Sequence, residues 1–168
     1  MATSHQIDKI DRKILSLLVN NARRPYLEIA RECGLSGAAI HQRVKKLEDA
    51  GIITGSRLIV KPQTLGLNVC AFISVVVTEK DKLGEVLDAI EQVPEVVECH
   101  FVTGKASLLL KVYGFNNDHL MEIITTSLQK IPYIQSTDTM ISLNQAFERQ
   151  VWVRDEESQY EITDRKSK

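Results

Sequence analysis

The chain is short of several things that would steer it toward particular protein classes. Its three cysteines in 168 residues, Cys33, Cys70 and Cys99, are odd in number, widely spaced and form no C-x-x-C pair. That argues against a disulfide framework, and their largely apolar neighbourhoods read as buried thiols in a reducing compartment. The opening MATSHQIDKIDRK has no apolar signal core, and nothing further on reads as a membrane span. A cytoplasmic protein with no membrane partner is expected. No nucleophile–base set, metal-ligand cluster or phosphate-cradling glycine loop is legible, so no catalytic residue, metal or cofactor is assigned. Net charge is scarce too, with 21 Lys+Arg against 22 Asp+Glu.

That near-neutral total hides a division. Residues 1–62 hold 11 Lys+Arg and 6 Asp+Glu, a net of +5, whereas residues 63–168 hold 10 and 16, a net of -6. A basic amino-terminal third on an acidic body points to a polyanion met by the first part alone. At 43% hydrophobic residues, the chain can bury one good core or two small ones.

The basic third reads as three helices. Ile7, Ile10, Ile14, Leu15, Leu17 and Leu18 recur at helical spacing and predict a helix from Ile7 to Val19, with Asp8, Lys9, Asp11, Arg12 and Lys13 between them. Pro25 fits the first turn of a second helix, whose Leu27, Ile29 and Ala30 are expected to face inward. Gly34 suits the left-handed residue that ends it, Leu35 plugs the turn, and Ser36 caps the third helix. There Ile40, Val44 and Leu47 form one buried stripe.

The opposite face has the composition a major-groove helix needs. Small residues at its start, Ser36, Gly37 and Ala38, allow close approach, and His41 shares their face. Gln42 can make a bidentate pair with adenine, while Arg43, Lys45 and Lys46 can reach guanine edges or phosphates. An ordinary solvated basic face is the plain alternative; the preceding helix and turn decide for double-stranded DNA. After Gly51, residues 52–55 and 57–60 predict a short hairpin, a wing from which Arg57 and Lys61 would touch the DNA backbone.

Residues 62–68 break the pattern and read as a linker. Beyond it come a strand over 69–77, a helix over 82–92 capped by Asp81, and strands over 96–102 and 107–112. A helix capped by Asn117, with Leu120, Ile123, Ile124 and Leu128 as its stripe, precedes a last strand over 134–143. Each helix ends in apolar-Pro-x-apolar punctuation, Val93-Pro94-Glu95-Val96 and then Ile131-Pro132-Tyr133-Ile134. The doubled β-α-β order predicts a ferredoxin-like βαββαβ unit. Phe72, Ile73, Val75 and Val76 make both strand faces apolar, as expected when both are buried. Two helices cover only one face, so a second subunit's sheet is expected over the other, giving a homodimer. The tail, charged after Val153, reads as partly disordered.

Several motifs together, Ile10-Asp11-Arg12-Lys13-Ile14-Leu15, Gly34-Leu35-Ser36, Arg43-Val44-x-x-Leu47-Glu48-x-x-Gly51-x-Ile53, Glu98-Cys99-His100-x-Val102-x-Gly104, Leu109-Leu110, Ile131-Pro132 and Thr137-x-Thr139, resemble the Lrp/AsnC (feast/famine) transcription regulators. The resemblance runs over roughly residues 7 to 150. It implies an α+β protein: a winged helix-turn-helix over 1–61, linker 62–68, a ferredoxin-like effector and oligomerisation (RAM) domain over 69–150, and a tail over 151–168. It further implies dimers that assemble to octamers, and a small-molecule effector, an amino acid or related acid, bound between dimers. By the same analogy the effector turn is Val102, Thr103, Gly104, Lys105, Ala106 and Ser107, with Ser136, Thr137 and Asp138 contributed by a neighbouring subunit.

One departure stands out. Members of the family often carry acidic residues directly after the turn glycine and two positions on, where this chain has Lys105 and Ser107. A lysine repels the ammonium of a free amino acid. Either Lys105 tunes the pocket toward an anionic ligand, or amino acids are ignored. Two further functions share the fold: an architectural DNA-wrapping protein, and a haem-precursor decarboxylase-like enzyme that would use His100, Lys105 and His119.

Overall fold

The computed structural model describes residues 7–154. The chain divides into two compact units, Met1–Leu58 with Glu148–Lys168, and Ile59–Phe147.

In the first unit, Asp8 caps α1 (Lys9–Asn20). Its carboxylate accepts the Asp11 N–H at 2.7 Å, and the Asp11 carboxylate accepts the Asp8 N–H at 3.2 Å. This reciprocal capping box sets the helix start two residues after the predicted one. Pro25 precedes α2 (Tyr26–Cys33), which ends at Gly34 with φ +65°. The Leu35 N–H then reaches back to Ala30 O at 2.9 Å, closing the helix as a left-handed residue allows. Ser36 Oγ accepts the Ala39 N–H at 3.2 Å and starts α3 (Gly37–Asp49). Ile14, Ile29, Ala30, Ile40 and Val44 form the core, with Leu35 and Ile53 packed against it.

Two expectations need correction in this unit. Leu27 is 61% exposed. Two residues along a helix is about 200° of rotation, so the burial of Ile29 turns Leu27 outward. Asp11, which lies between the apolar positions of the first helix, is itself buried. The predicted wing hairpin is absent: residues 52–61 run without strand pairing, and Leu58 and Ile59 are exposed. Two short strands with no third strand or helix to share a face are marginal in water. Arg57 therefore lies on open, irregular chain and not on a hairpin.

The carboxy-terminal segment is described only in part. Trp152, Val153 and Arg154 line a cavity of about 370 Å³ together with Ile7, Arg12 and Leu15 of the amino-terminal unit. The Arg154 guanidinium sits 5.2 Å from the Trp152 ring centroid. The tail is thus placed as far as Arg154, without helix or strand; the rest of it, on which the expectation of partial disorder falls, lies outside the described residues.

The second unit opens with a 3-10 turn over Pro62–Leu65. Its elements are β1 (Val69–Val77), α4 (Leu83–Glu91), β2 (Val96–Phe101), β3 (Leu108–Gly114), α5 (Asn117–Glu122) and β4 (Ile134–Ser142). A π-helical stretch, Ile123–Leu128, prolongs α5. Within and before it, the Thr125 and Thr126 hydroxyls donate to the Met121 and Glu122 carbonyls, a back-bonding that disturbs helix geometry. The strands form one antiparallel sheet in the order β2-β3-β1-β4, the ferredoxin-like arrangement predicted from the repeat.

Burial alternates along β1 and β3. Ala71, Ile73, Val75, Leu108, Leu110 and Val112 are buried with Val86, Ile90, Leu120, Ile123 and Leu128 of the helices. On the other face Phe72, Val76, Leu109 and Tyr113 are only half-buried, and Met140 is exposed. One face is therefore covered within the chain, although both are apolar.

The internal repeat extends to hydrogen bonding. Glu95 O accepts the Tyr113 N–H at 3.0 Å, and Tyr133 O accepts the Thr78 N–H at 2.9 Å. The copies differ in backbone, because Tyr133 has φ +70°, an uncommon conformation for an aromatic residue. Asn116, not Asn117, caps α5, its Oδ1 accepting the His119 N–H at 2.8 Å. Asp81 caps nothing, since a 3-10 turn over Lys80–Lys82 encloses it. Cys99, expected to be buried, is exposed on edge strand β2, while Cys33 and Cys70 are half-buried.

Candidate nucleic-acid interface and effector turn

The packing of α3 divides its residues cleanly. Ile40, Val44 and Leu47 are buried, so the remaining helix faces point away from the core. His41, Gln42, Lys45 and Lys46 are exposed, and at the helix start Ser36 and Ala38 are exposed on either side of half-buried Gly37. The absence of large side chains at 36–38 leaves the helix N-terminus approachable, with its backbone N–H groups directed toward incoming anions. The His41 ring meets Tyr26 edge-on, with centroids 5.8 Å apart, which places an aromatic of α2 next to the exposed face.

Arg43 departs from the rest. One of its guanidinium nitrogens, Nη1, lies 2.7 Å from Asp8 Oδ2 and 2.7 Å from Asp11 Oδ1. The two carboxylates hold it against α1, so it is not extended toward solvent as the predicted guanine or phosphate contact requires. Burial raises the Asp8 pKa, but the Asp11 N–H and the Arg43 guanidinium outweigh it and hold the carboxyl below its usual range. The same two carboxylates push Arg43 up. A second tie joins α1 and α2, where Lys13 Nζ donates to Glu32 O at 2.6 Å. Arg24 also pairs with Glu28 and Glu32 along α2.

In the second unit the residues of the predicted effector turn join β2 to β3. Thr103, Gly104 and Lys105 are exposed, and Val102, Ala106 and Ser107 are half-buried. Gly104 has φ +114°, which a residue with a Cβ adopts only under strain. The turn closes on itself through Val102 N–H to Ser107 O at 3.2 Å. It is fixed to β1 through Ser107 N–H to Val75 O at 2.8 Å. Across β1, Thr137 pairs with Val75, Ser136 with Val76 and Asp138 with Ser74. Within one chain the turn and residues 136–138 therefore flank the same end of β1, two strand spacings or about 10 Å apart. Thr137 Oγ1 is occupied in accepting from Gln129 Nε2 at 3.1 Å.

On the sheet's uncovered face, Lys111 Nζ lies 3.0 Å from Glu98 Oε1, and His100 Nε2 lies 3.4 Å from Glu98 Oε2. Burial pushes Glu98 up, but these two partners hold its carboxyl below the usual range. His100 is thereby engaged with Glu98. His119 stacks on Phe115 and accepts its N–H at Nδ1. The structure does not bring His100, Lys105 and His119 together as an enzymatic trio: His100 pairs with Glu98, His119 stacks on Phe115, and Lys105 is exposed in the turn. Among the described residues no cluster of His, Cys, Asp or Glu could hold a metal ion, and no helix is long and apolar enough to cross a membrane.

Comparison with known proteins decides the family. Residues 7–48 match the AsnC-type helix-turn-helix domain, and residues 70–152 match the Lrp/AsnC ligand binding domain. The regulatory protein AsnC of Haemophilus influenzae is 38% identical over 147 residues, spanning 88% of this chain and 98% of the relative. The chain belongs to the Lrp/AsnC family. The structure of Escherichia coli AsnC matches it with a TM-score of 0.82 at 38% identity, over 88% of this chain and 99% of that one. A Neisseria meningitidis transcriptional regulator, solved in complex with L-Met, matches with a TM-score of 0.81 at 27% identity, over 86% and 94% of the two chains. This Lrp/AsnC member is a transcription regulator with a helix-turn-helix DNA-binding domain, and not an enzyme.

Sequence reasoning missed Asp8 and Asp11 as functional neighbours of α3. A signal was present: two aspartates spaced i, i+3 ahead of an apolar stripe have the reciprocal spacing of an N-terminal cap. Nothing local announced that Arg43, more than thirty positions later, would join them.

Proposed function

We propose that this regulator reads double-stranded DNA with α3 in the major groove and answers to an amino-acid-like effector at the Val102–Ser107 turn. In this reading Gln42 pairs with a base edge. Ser36, Gly37, Ala38 and His41 line the approach, and Lys45, Lys46 and Arg57 meet phosphates or guanine. The observation that carries it is the division of α3 into a buried apolar stripe and an exposed small, amide and basic face. Arg43 is left out of the contact set, because Asp8 and Asp11 already hold it.

The uncovered sheet face, with Phe72, Val76, Leu109, Tyr113 and Met140 on it, is taken to be closed by a second copy. Two recognition helices would then meet half-sites one helical turn, or a multiple of it, apart. Assembly of dimers into an octamer would bring the turn of one copy to Ser136, Thr137 and Asp138 of another. The L-Met held by the Neisseria regulator supports an amino-acid class of effector. Exposed Lys105 favours a ligand carrying an additional carboxylate or carbonyl acceptor over one with an apolar side chain.

The test selects a binding site from random DNA and then measures size by light scattering across amino acids and organic acids. Gln42→Ala is expected to relax the selected sequence, and Lys45→Ala to weaken binding to all sequences alike. An effector is expected to change assembly or shift DNA affinity by typically ~1–3 kcal/mol. A monomer that responds to no acid, or a selected site indifferent to Gln42, would sink the respective half of this reading.

A further inference from the structure

The arrangement around Arg43 carries more than a local ion pair. Asp8 and Asp11 each spend one carboxylate oxygen on the other's backbone N–H and the remaining oxygen on Arg43. The cap of α1 is thereby a rigid two-carboxylate fork, and the Asp11 side chain in it is only 5% exposed. Arg43 stands on the flank of α3, directly after Gln42, about 100° round the helix from it. A guanidinium shared by two fixed carboxylates resists rotation of α3 about its own axis, and that rotation decides which edge Gln42 presents. The cluster also carries two negative charges and one positive. Its net charge of -1 opposes DNA binding electrostatically, so attraction to phosphate does not account for it.

We infer that Arg43 is a positioning residue for base reading, setting the roll of α3 through Asp8 and Asp11 without touching the nucleic acid. The inference rests on the reading that α3 enters the groove. It makes a sign prediction that simple electrostatics reverses. Neutralising a carboxylate on a DNA-binding domain ordinarily strengthens binding, whereas here Asp8→Asn and Asp11→Asn should weaken it at the specific site.

The experiment measures affinity for the selected site and for random-sequence DNA over a range of salt. It uses the full chain and Arg43→Met, Asp11→Asn, Asp8→Asn, Gln42→Ala and Lys45→Ala. Circular dichroism melts keep every titration below the unfolding range. Arg43→Met and Asp11→Asn are expected to lower specific affinity by about tenfold, the scale of one lost bidentate base contact. Random-sequence affinity and the salt slope should be unchanged, so the specificity ratio falls. A merely destabilising substitution would not move that ratio in a folded sample. Half-exposed Asp8→Asn leaves the Asp11 arm in place and should give a smaller loss of the same kind, which keeps the test open if Asp11→Asn fails to fold.

A salt slope that falls by about 0.9 in Arg43→Met, as expected for Lys45→Ala, would make Arg43 a phosphate contact and overturn the inference. Tighter specific binding by Asp8→Asn would overturn it as well. If Gln42→Ala and Lys45→Ala change neither specificity nor slope, α3 is not the reading helix. The groove assignment and the inference then fall together, an outcome distinct from failure of the Arg43 tie alone.

Discussion

The two units of this regulator keep their shape by different means. The amino-terminal unit has a buried cluster of five residues, and two of its three helices begin at a side-chain cap. The Ile59–Phe147 unit buries a cluster of thirteen apolar residues beneath two helices, on a four-stranded antiparallel sheet. Where apolar burial is plentiful it dominates, and polar contacts are accessory. Where it is scarce, the relative placement of helices falls to caps, turns and the Arg43–Asp8–Asp11 cluster. The unit expected to discriminate DNA sequences is therefore the one whose geometry depends on charge.

The largest test of that contrast is Leu110→Ala. Leu110 is fully buried at the middle of the sheet, so the variant should lose about 2–5 kcal/mol of stability by chemical denaturation. A loss under ~1 kcal/mol would mean that the sheet unit is not dominated by its core.

Gly34→Ala comes next. No atom lies within 4 Å of the added Cβ, so any cost is backbone strain at φ +65°, expected at about 1–2 kcal/mol. A neutral result would show that the α2–α3 turn relaxes without penalty, leaving the helix-turn-helix less constrained than described. Ser36→Ala removes the acceptor of the Ala39 N–H and should cost about 1 kcal/mol. The alanine variant should also read DNA less selectively, because the start of α3 frays. Unaltered melting would rule out the cap as a determinant.

The smallest effect is the most diagnostic. The Asp8 carboxyl is held below its usual range, so it stays charged further into acid when folded than when unfolded. Its contribution is complete above the ordinary carboxylate pKa and disappears as pH falls through the lowered value. The stability gap between the parent chain and Asp8→Asn should thus narrow as pH falls below the ordinary carboxylate range, and shrink in high salt, because Asp8 is half-exposed. A gap independent of pH would show that the pair contributes nothing to stability.

Much of the fold was legible because it is locally encoded. Gly34 and Ser36 mark their turn whatever surrounds them, since left-handed backbone and an N-cap are properties of single residues. The doubled apolar-Pro-x-apolar punctuation exposed the ferredoxin-like repeat. Boundaries missed by a residue, such as Asn116 for Asn117, reflect two adjacent asparagines with equal propensity; only the position of the His119 N–H selects between them. The wing failed for a different reason. Residues 52–60 have strand composition but no neighbour to pair with in the chain, and composition does not supply a partner.

The candidate site divides the same way. The exposed set Ala38, His41, Gln42, Lys45 and Lys46 follows from the 3.6-residue period once Ile40, Val44 and Leu47 are placed inside. The fate of Arg43 does not, because its partners lie 32 and 35 residues away. From the sequence alone it was one more cation on a basic helix. Likewise the turn at 102–107 and the residues 136–138 are separate in sequence and lie at one end of β1 only through strand order and register. The sequence by itself determined the elements, their caps and their apolar faces, since these depend on contacts within a few residues. Tertiary structure alone decided which charges meet, as at Arg43, and that residues 52–60 stay unpaired, because those are set by contacts between segments far apart along the chain.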